Sequence, residues 1–276
     1  VGFNLLGFEK YNSSRLTGFF GKEPIIGRYL GYLSIFTFFL IYKIYGLSKT
    51  AMVFSIIILV IAEVVIFMTG ERTALFNISF FSILLIIFLP SLRLYRIFGA
   101  LISILIISLL MQLNPAAKNR IINETLYEIS STKIPYMPYG ELHERHYISA
   151  LKMFKDKPAF GVGTNLFRNL CDEQKYNYKE NSCTSHPHNM YIQLLAENGI
   201  FGFAFLLSFF LYLFYILSKQ FLNLIIFNKT KIITFDKIMI FIILFVFWWP
   251  IIPHMSFYNN WNNVLIMLTL GYLLNY

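Results

Sequence analysis

The chain has 276 residues, of which 57% are hydrophobic, 18% aromatic and only 13% charged. Soluble domains average about 25% charged residues, so this composition excludes an ordinary soluble protein and indicates a membrane protein. The formal net charge of +9 would suggest nucleic-acid binding in a soluble chain. In a membrane protein it bears on topology instead, and we expect no nucleic-acid partner.

Seven apolar windows are predicted to cross a hydrocarbon core about 30 Å thick as helices. In chain order they are 29–45, 51–69, 74–90, 97–113, 190–217, 238–253 and 264–276. The fold class is therefore predicted to be all-α, a polytopic membrane helix bundle with about seven spans and one large outward loop. The chain begins with valine, and we expect it to be a fragment of a longer protein with further spans before residue 1.

The basic residues predict the orientation of these spans. Three connections carry positive charge and are assigned to the cytoplasm by the positive-inside rule. Their basic residues are Lys43 and Lys49, Arg93 and Arg96, and Lys219, Lys229, Lys231 and Lys237. The predicted organisation is an outward segment at 1–28, four transmembrane helices at 29–113, an outward loop at 114–187 and three transmembrane helices at 188–276.

One ionisable residue, Glu63, lies inside the second window. A charge within a membrane span is costly and suggests function by default. Arg72 is nine residues away and would lie on the opposite face of a helix, so a direct pair is not expected. A partner on another helix, or protonation, are the two alternatives.

The long loop is predicted to contain one amphipathic helix. Tyr147, Leu151 and Phe154 follow helical spacing, Glu141 and Glu144 occupy the first turn, Pro158 ends the helix, and a turn follows at 161–163. His143 and His146 could suggest zinc, but a three-residue spacing without a clear third ligand is weak. We therefore expect no metal and no cofactor.

Cys171 and Cys183 both fall in this loop, twelve positions apart. An outward, oxidising environment would allow them to form a disulfide. Two free thiols are the alternative.

The segment HPHNMYIQLLAENGIFG places His186, His188 and Asn189 directly before a long apolar run. On one continuous helix, His188, Gly199 and Gly202 would share a stripe, and the glycines would leave either a helix-packing surface or a groove for a lipid tail. A histidine at a helix amino terminus favours its neutral form, which general-base catalysis requires. His188 is the candidate base, His186 is its competitor, and an interfacial histidine without a catalytic role is the alternative.

Arg72 and Arg145 are the candidate anion ligands. Both are predicted to lie on the outward side, and guanidinium groups bind phosphate oxygens in a fork geometry. Taken singly, an arginine at a membrane interface more often anchors a lipid headgroup or forms an ion pair.

Together these motifs resemble the O-antigen ligase and polymerase superfamily of bacterial membrane glycosyltransferases. The resemblance rests on His188-Asn189 followed after nine residues by Gly199-Ile200-Phe201-Gly202, and on RLTGFFGKEPIIG, GERTAL and RHYISALKMFKDKPAFGVGTNLF in the same order. A cysteine pair before the histidine motif also occurs in some relatives.

The resemblance implies an enzyme of the bacterial inner membrane whose active site faces the periplasm, beneath the outward loop. Its donor would be a glycan linked to undecaprenyl pyrophosphate, and its acceptor a hydroxyl of lipid A core, another glycan or a protein. By motif, Arg72 and Arg145 would hold the pyrophosphate and His188 would be the base of an inverting transfer that is independent of metal. His186, Asn189, Gly199 and Gly202 would support the site.

Three alternatives to a ligase remain. A repeat-unit polymerase has the same motif. A lipid or solute transporter would account for Glu63, although transporters usually show paired broken helices. A non-catalytic membrane scaffold would not require His188.

Overall fold

The computed structural model describes residues 15–21, 23–131, 140–225 and 233–274. These residues are 76% helical and form no strand, which confirms the all-α prediction. The helices are α1 (Ile26–Tyr45), α2 (Lys49–Thr69), α3 (Arg72–Phe88), α4 (Pro90–Leu113), α5 (Pro115–Lys118), α6 (Glu124–Ser131), α7 (Glu141–Asp156), α8 (Phe167–Leu170), α9 (Met190–Ile225), α10 (Phe235–Phe247) and α11 (Asn260–Leu274). A 3-10 turn at Gly18–Phe20 and a π-helical turn at Asn119–Asn123 complete the set.

Three of the described helices, α2, α4 and α9, are long and apolar enough to cross a membrane. This confirms a membrane helix bundle, whereas the count of seven spans stays a prediction. The sixth predicted span, 238–253, is too long, because α10 ends at Phe247 and two prolines follow at 250 and 253. Proline removes a helical hydrogen-bond donor and clashes with the preceding turn.

Some sequence-based assignments fall partly outside the described residues. They are the segment at residues 1–14 together with Lys22, the part of the outward loop at 132–139, and Lys229 and Lys231 of the last basic connection.

The chain divides into two compact units. Unit 1 comprises 1–124, 216–247 and 268–276, and unit 2 comprises 125–215 and 248–267. In unit 1, helices α1 to α4 and α10 pack together around fully buried side chains such as Ile35, Phe39, Leu59, Phe67 and Phe81.

The carboxylate of Glu63 in α2 has partners on two other helices of unit 1. It accepts hydrogen bonds from the Arg96 guanidinium and the Ser103 hydroxyl of α4, and from the Ser82 hydroxyl of α3 at 2.9 Å. The expectation of a partner on another helix is confirmed. The assignment of Arg96 to a cytoplasmic connection is wrong, because α4 begins at Pro90 rather than at residue 97 and buries Arg96 to 1% exposure.

The helix predicted in the outward loop is α7, in unit 2, and its end before Pro158 is as expected. Its buried side differs in part from the prediction. Tyr147, Ala150 and Met153 are buried, whereas Leu151 and Phe154 are only half-buried. Met153 and Ala150 pack with Phe167, Tyr176 and Ala196 in a small core that gives this unit its own hydrophobic interior.

Helix α9 is broken at Gly199, which has a φ of 66° and a ψ of −159°. The break leaves backbone N–H and C=O groups without helical partners, and these groups form hydrogen bonds with residues 158–163. Val162 N–H donates to Ala196 O at 2.9 Å, Gly163 N–H donates to Glu197 O at 3.0 Å, and Ile200 N–H donates to Pro158 O at 2.9 Å. The prediction of one continuous helix over 189–217 is therefore wrong.

Gly199 packs closely against the backbone of residues 159–160 and does not line a lipid groove, and Gly202 faces the Asn198 side chain of the same helix. A Cβ atom at Gly199 would lie 2.3 Å from Ala159 O, and a Cβ atom at Gly202 would lie 2.4 Å from Asn198 Cβ. On the opposite side, a Cβ atom at Gly161 would lie 2.3 Å from the Glu197 carbonyl carbon. The expectation of a side-chain-free strip for a lipid tail along this helix is wrong, because the space beside Gly199 is filled by the 158–163 turn.

We expect Gly199→Ala to destabilise the protein by about 1–3 kcal/mol, because alanine is strained at this positive φ and its Cβ atom would overlap Ala159 O. Gly271→Ala in α11 is the matched control, since nothing lies within 4 Å of its added Cβ and alanine favours a helix. Unfolding in detergent should show a lower midpoint for Gly199→Ala only. Equal midpoints for the two variants would contradict the packing role.

Candidate active site

The five histidines of the chain come together in unit 2, around His188. The ring centroid of His188 lies 5.4 Å from those of His143 and His146 and 4.3 Å from that of His186. The backbone N–H of His254 donates to the His188 carbonyl at 2.7 Å, and the His254 carbonyl lies 3.3 Å from His186 Nε2. Two other segments, α7 and the one that contains His254, therefore converge on the candidate base and its competitor.

The backbone of His188 is in the left-handed region, with a φ of 59°. Few non-glycine residues adopt this conformation, and they cluster at functional sites because the surrounding structure must hold them there. The hydrogen bond from His254 N–H to the His188 carbonyl is one such restraint. His188 is half-buried, so its ring combines a fixed backbone with partial access.

Asn189 caps the amino terminus of α9. Its Oδ1 accepts from the backbone N–H groups of Tyr191 at 3.0 Å and Ile192 at 3.1 Å, which is the pattern of a helix N-cap. Its Nδ2 donates to Pro250 O at 2.8 Å. Asn189 thus starts α9 and ties it to the 250–254 segment that restrains His188.

Helix α7 presents two histidines, rather than its arginine, to His188. His143, His146 and Tyr147 have the i, i+3, i+4 spacing of a single face, and the His143 ring centroid lies 6.4 Å from that of Tyr147. Arg145 projects from another face of α7, where its Nη2 donates to Glu141 Oε1 at 2.8 Å.

The Arg145 guanidinium is held on both terminal nitrogens. Besides the contact with Glu141, its Nη1 donates to the Glu180 carbonyl at 2.7 Å. An incoming anion would have to replace Glu141, whose side chain is largely exposed. The role of Arg145 as a pyrophosphate ligand stays a prediction.

Burial lowers the pKa of His146, and the charge of Arg145 also lowers it, while a hydrogen bond with the Asn181 backbone acts in the opposite direction. The lowered pKa favours the neutral form of His146, and a positive neighbour would oppose proton uptake by His188. The Nδ1 atom of His146 is buried and has no hydrogen-bond partner within the described residues.

A stripe of buried polar side chains runs along α9 from the candidate site. Asn189, Gln193 and Glu197 share one helix face at four-residue spacing and are all at most 5% exposed. Gln193 Nε2 donates to Ser256 Oγ at 3.0 Å and to Glu197 Oε2 at 3.1 Å, and Glu197 Oε1 accepts from Phe167 N–H at 2.8 Å. Gln193 and Glu197 were missed in the sequence, although polar residues at four-residue spacing within an apolar helix are a readable signal.

The structure joins Cys171 and Cys183 in a disulfide with their Cα atoms 5.0 Å apart. Cys171 is fully buried in the small core of unit 2 beside Phe167 and Tyr176. The bridge therefore connects this core to the segment that leads to His186 and His188.

Arg72 lies in unit 1, where it is the first residue of α3 and half-buried. The adjacent Glu71, which was missed in the sequence, accepts hydrogen bonds from the backbone N–H groups of Gly27 and Arg28 in the first turn of α1. Burial raises the pKa of Glu71, whereas these bonds and the charges of Arg28 and Arg15 lower it. Arg15 itself donates to Thr69 O at 3.2 Å, so two of the motif segments meet here.

Among the residues that the structure describes, no three His, Cys, Asp or Glu side chains are arranged to hold a metal ion. The His143 and His146 rings meet edge to face, and the His188 ring is tilted against those of His146 and His186.

A sequence model of the family described as O-antigen ligase matches residues 54–207, more than half of the chain. The matched region contains Arg72, Arg145, His188 and the break at Gly199. No curated protein and no solved structure matches the chain.

Proposed function

The chain belongs to the O-antigen ligase family, and from this premise we propose that it transfers a glycan from undecaprenyl pyrophosphate to an acceptor hydroxyl. Family membership itself gives a membrane protein with ligase or polymerase-type activity, a lipid-linked glycan and an acceptor. The proposed glycan transfer rests on the geometry of His188. Its backbone has a positive φ, its ring is surrounded by three other imidazoles, and it lies inside the matched region.

In the proposed reaction, the neutral imidazole of His188 accepts the proton of the acceptor hydroxyl. The hydroxyl oxygen forms a bond to the anomeric carbon while the bond from that carbon to the pyrophosphate oxygen breaks. The leaving group is undecaprenyl pyrophosphate, which carries away the bonding electrons, and attack from the opposite face inverts the anomeric centre. Protein residues alone are assigned to these steps, with lipid A core, glycan or protein as the acceptor.

Arg72 and Arg145 are proposed to stabilise the charge that develops on the leaving pyrophosphate, since fixed cations are most effective where charge forms during the reaction. His186 is proposed to orient His188, and Asn189, Gly199 and Gly202 to support it through the backbone. The proposed location is the bacterial inner membrane, with this site facing the periplasm.

We expect Arg145→Lys and Arg72→Lys to weaken donor binding, because lysine lacks the fork that binds two phosphate oxygens. Glu141→Gln separates the alternatives for Arg145. If Arg145 binds the donor, removing its competing carboxylate should strengthen donor binding; if Arg145 only links α7 to Glu180, donor binding should stay unchanged. Titration of a lipid-linked glycan pyrophosphate into purified protein in nanodiscs measures both, and unchanged affinity in all three variants would reject the pyrophosphate clamp.

The function is tested by deleting the gene and profiling lipid-linked and transferred glycans. A ligase predicts that the acceptor loses its glycan while the undecaprenyl-linked form accumulates. The alternative, a repeat-unit polymerase of the same family, predicts that chains shorten to a single repeat. Unchanged profiles in both fractions would contradict glycan transfer.

Transport is the weaker alternative because its main sequence support was Glu63. That carboxylate is bonded to Arg96, Ser82 and Ser103 within unit 1, so its burial is accounted for by packing between α2, α3 and α4.

A further inference from the structure

An irregular segment after α10 holds the backbone of His188. Residues 253–256 belong to no helix, strand or turn, yet the His254 N–H donates to the His188 carbonyl at 2.7 Å, and the His254 carbonyl lies 3.3 Å from His186 Nε2. A helix fixes its backbone through internal hydrogen bonds, whereas an irregular segment relies on partners outside itself. The position of His254 therefore depends on the contacts that hold its neighbours.

Gln193 of α9 holds the residues that follow His254. Its Oε1 accepts from the Phe257 backbone N–H at 2.8 Å, and its Nε2 donates to Ser256 Oγ at 3.0 Å. Because a backbone N–H can only donate, the amide of Gln193 forms these bonds in one orientation. The side chain is fully buried, so loss of the amide would leave its partners unsatisfied rather than hydrated.

Asn189 holds the residues that precede His254. Its Nδ2 donates to the carbonyls of residues 250 and 252, at 2.8 Å and 3.4 Å. Asn189 and Gln193 are four residues apart on one face of α9, and His254 lies midway between residues 252 and 256. Either attachment alone would leave one side of His254 unrestrained. The two together determine where its N–H lies.

Glu197 fixes the amide of Gln193 in turn. Its Oε2 accepts from Gln193 Nε2 at 3.1 Å, and its Oε1 accepts from the Phe167 N–H at 2.8 Å. Glu197 is 1% exposed. Buried polar networks whose members are hydrogen-bonded impose one geometry on the segments that they join. The network therefore connects residue 167, the first half of α9 and the segment that holds His188.

We propose that Gln193 is a positioning residue for His188. It fixes residues 256–257, these fix the His254 N–H, and that N–H holds the His188 carbonyl while the backbone of His188 keeps its φ of 59°. Gln193 acts through the backbone and exchanges no proton with the substrates. The expected effect on transfer rests on the proposed function, whereas the effect on the His254 backbone does not.

Hydrogen exchange of the purified full chain, resolved to single amides by mass spectrometry, tests the backbone effect. Gln193→Met keeps the length of the side chain and removes its amide. We expect the His254 amide to exchange about tenfold faster in this variant. Tyr176→Phe is the control, since it removes a buried hydroxyl that donates to Asp156 elsewhere in unit 2, and should leave exchange at His254 unchanged. Unchanged exchange at His254 in Gln193→Met would overturn the proposal.

Steady-state transfer kinetics test the consequence for His188. Gln193→Met should lower kcat by about 10–100-fold, because a small displacement of a reacting group is costly. The KM for the lipid-linked glycan should stay unchanged, since the interaction affected is made in the transition state. Tyr176→Phe should change neither constant. A raised KM with unchanged kcat in Gln193→Met, or an equal loss of kcat in Tyr176→Phe, would contradict a positioning role.

Exchanging the two polar side chains provides a rescue. In the double variant Gln193→Glu with Glu197→Gln, the carboxylate at 193 accepts from the Phe257 N–H and the Ser256 hydroxyl, and the amide at 197 donates to it while accepting from the Phe167 N–H. Each single variant opposes two carboxylates or two amide NH₂ groups and should lose transfer. The double variant should recover most of the kcat, and a kcat no higher than that of the single variants would overturn the proposal.

Failure of the proposed function is recognised separately. If the unmodified protein transfers no glycan, or if His188→Asn transfers it normally, the assignment of His188 as the base fails. Exchange at His254 then decides alone whether Gln193 holds the segment. If the unmodified protein is active and His188→Asn is not, unchanged kcat in Gln193→Met rejects the positioning role only.

Discussion

His188→Asn is expected to reduce glycan transfer by about 10²–10⁴-fold, the usual contribution of a general base, without a comparable loss of protein. Asparagine is the appropriate replacement because it adopts positive φ values more readily than most residues, so the backbone of residue 188, at a φ of 59°, keeps its conformation. The asparagine amide cannot accept a proton near neutral pH. Transfer is measured with purified protein and a lipid-linked glycan, and the fold is checked by the unfolding midpoint.

His186→Asn is the matched control, since its ring centroid lies 4.3 Å from that of His188. We expect a smaller loss of transfer, because His186 orients the base without replacing it. Near-normal transfer by His188→Asn would remove the proposed base. A larger loss in His186→Asn than in His188→Asn would assign the proton transfer to His186.

Glu63→Gln is expected to lower the free energy of unfolding by about 3–5 kcal/mol, the cost of leaving one partner of a buried ion pair without the other. Arg96 is 1% exposed, so its charge cannot be hydrated once the carboxylate is gone. The measurement is equilibrium unfolding in mixed detergent micelles. Glycan transfer per folded molecule should remain, since the pair is assigned a role in packing.

Two further variants define this effect. Glu124→Gln removes the carboxylate from Arg120, an Arg–Glu pair that is partly exposed, and should change stability by less than about 1 kcal/mol. The double variant Glu63→Met with Arg96→Met replaces both charges by apolar groups and should recover most of the lost stability. A similar loss in Glu124→Gln, or no recovery in the double variant, would contradict a buried-charge effect.

Much of the fold could be predicted from the sequence because the helices are specified locally. Apolar runs of sufficient length predict α2 and α4, and Pro158 marks the end of α7. The cost of a lone carboxylate in an apolar helix narrowed Glu63 to a partner on another helix or protonation. It could not identify Arg96, because α4 extends seven residues further toward its amino terminus than its apolar window.

The site was less predictable because its geometry depends on contacts between distant segments. A sequence read as one helix places His188 and Gly199 on one stripe, but the 158–163 turn supplies the hydrogen bonds that stabilise a break at Gly199. His143 and His146 were considered only as a metal pair, whereas their spacing directs both rings toward His188. The same helix periodicity places Arg145 on another face, which the motif alone does not reveal.

The break in α9 also bears on how the chain is inserted into a bilayer. Residues 200–225 rise about 39 Å as a helix, enough to cross the hydrocarbon core without the segment before the break. Residues 200–218 carry no charged side chain, and the first charge after them is Lys219. The translocation machinery can therefore recognise this stretch alone as a membrane span. Gln193 and Glu197 precede that stretch, so their polarity adds nothing to the free energy of its partitioning. The end of the helix next to the candidate site can therefore be polar without weakening the membrane span.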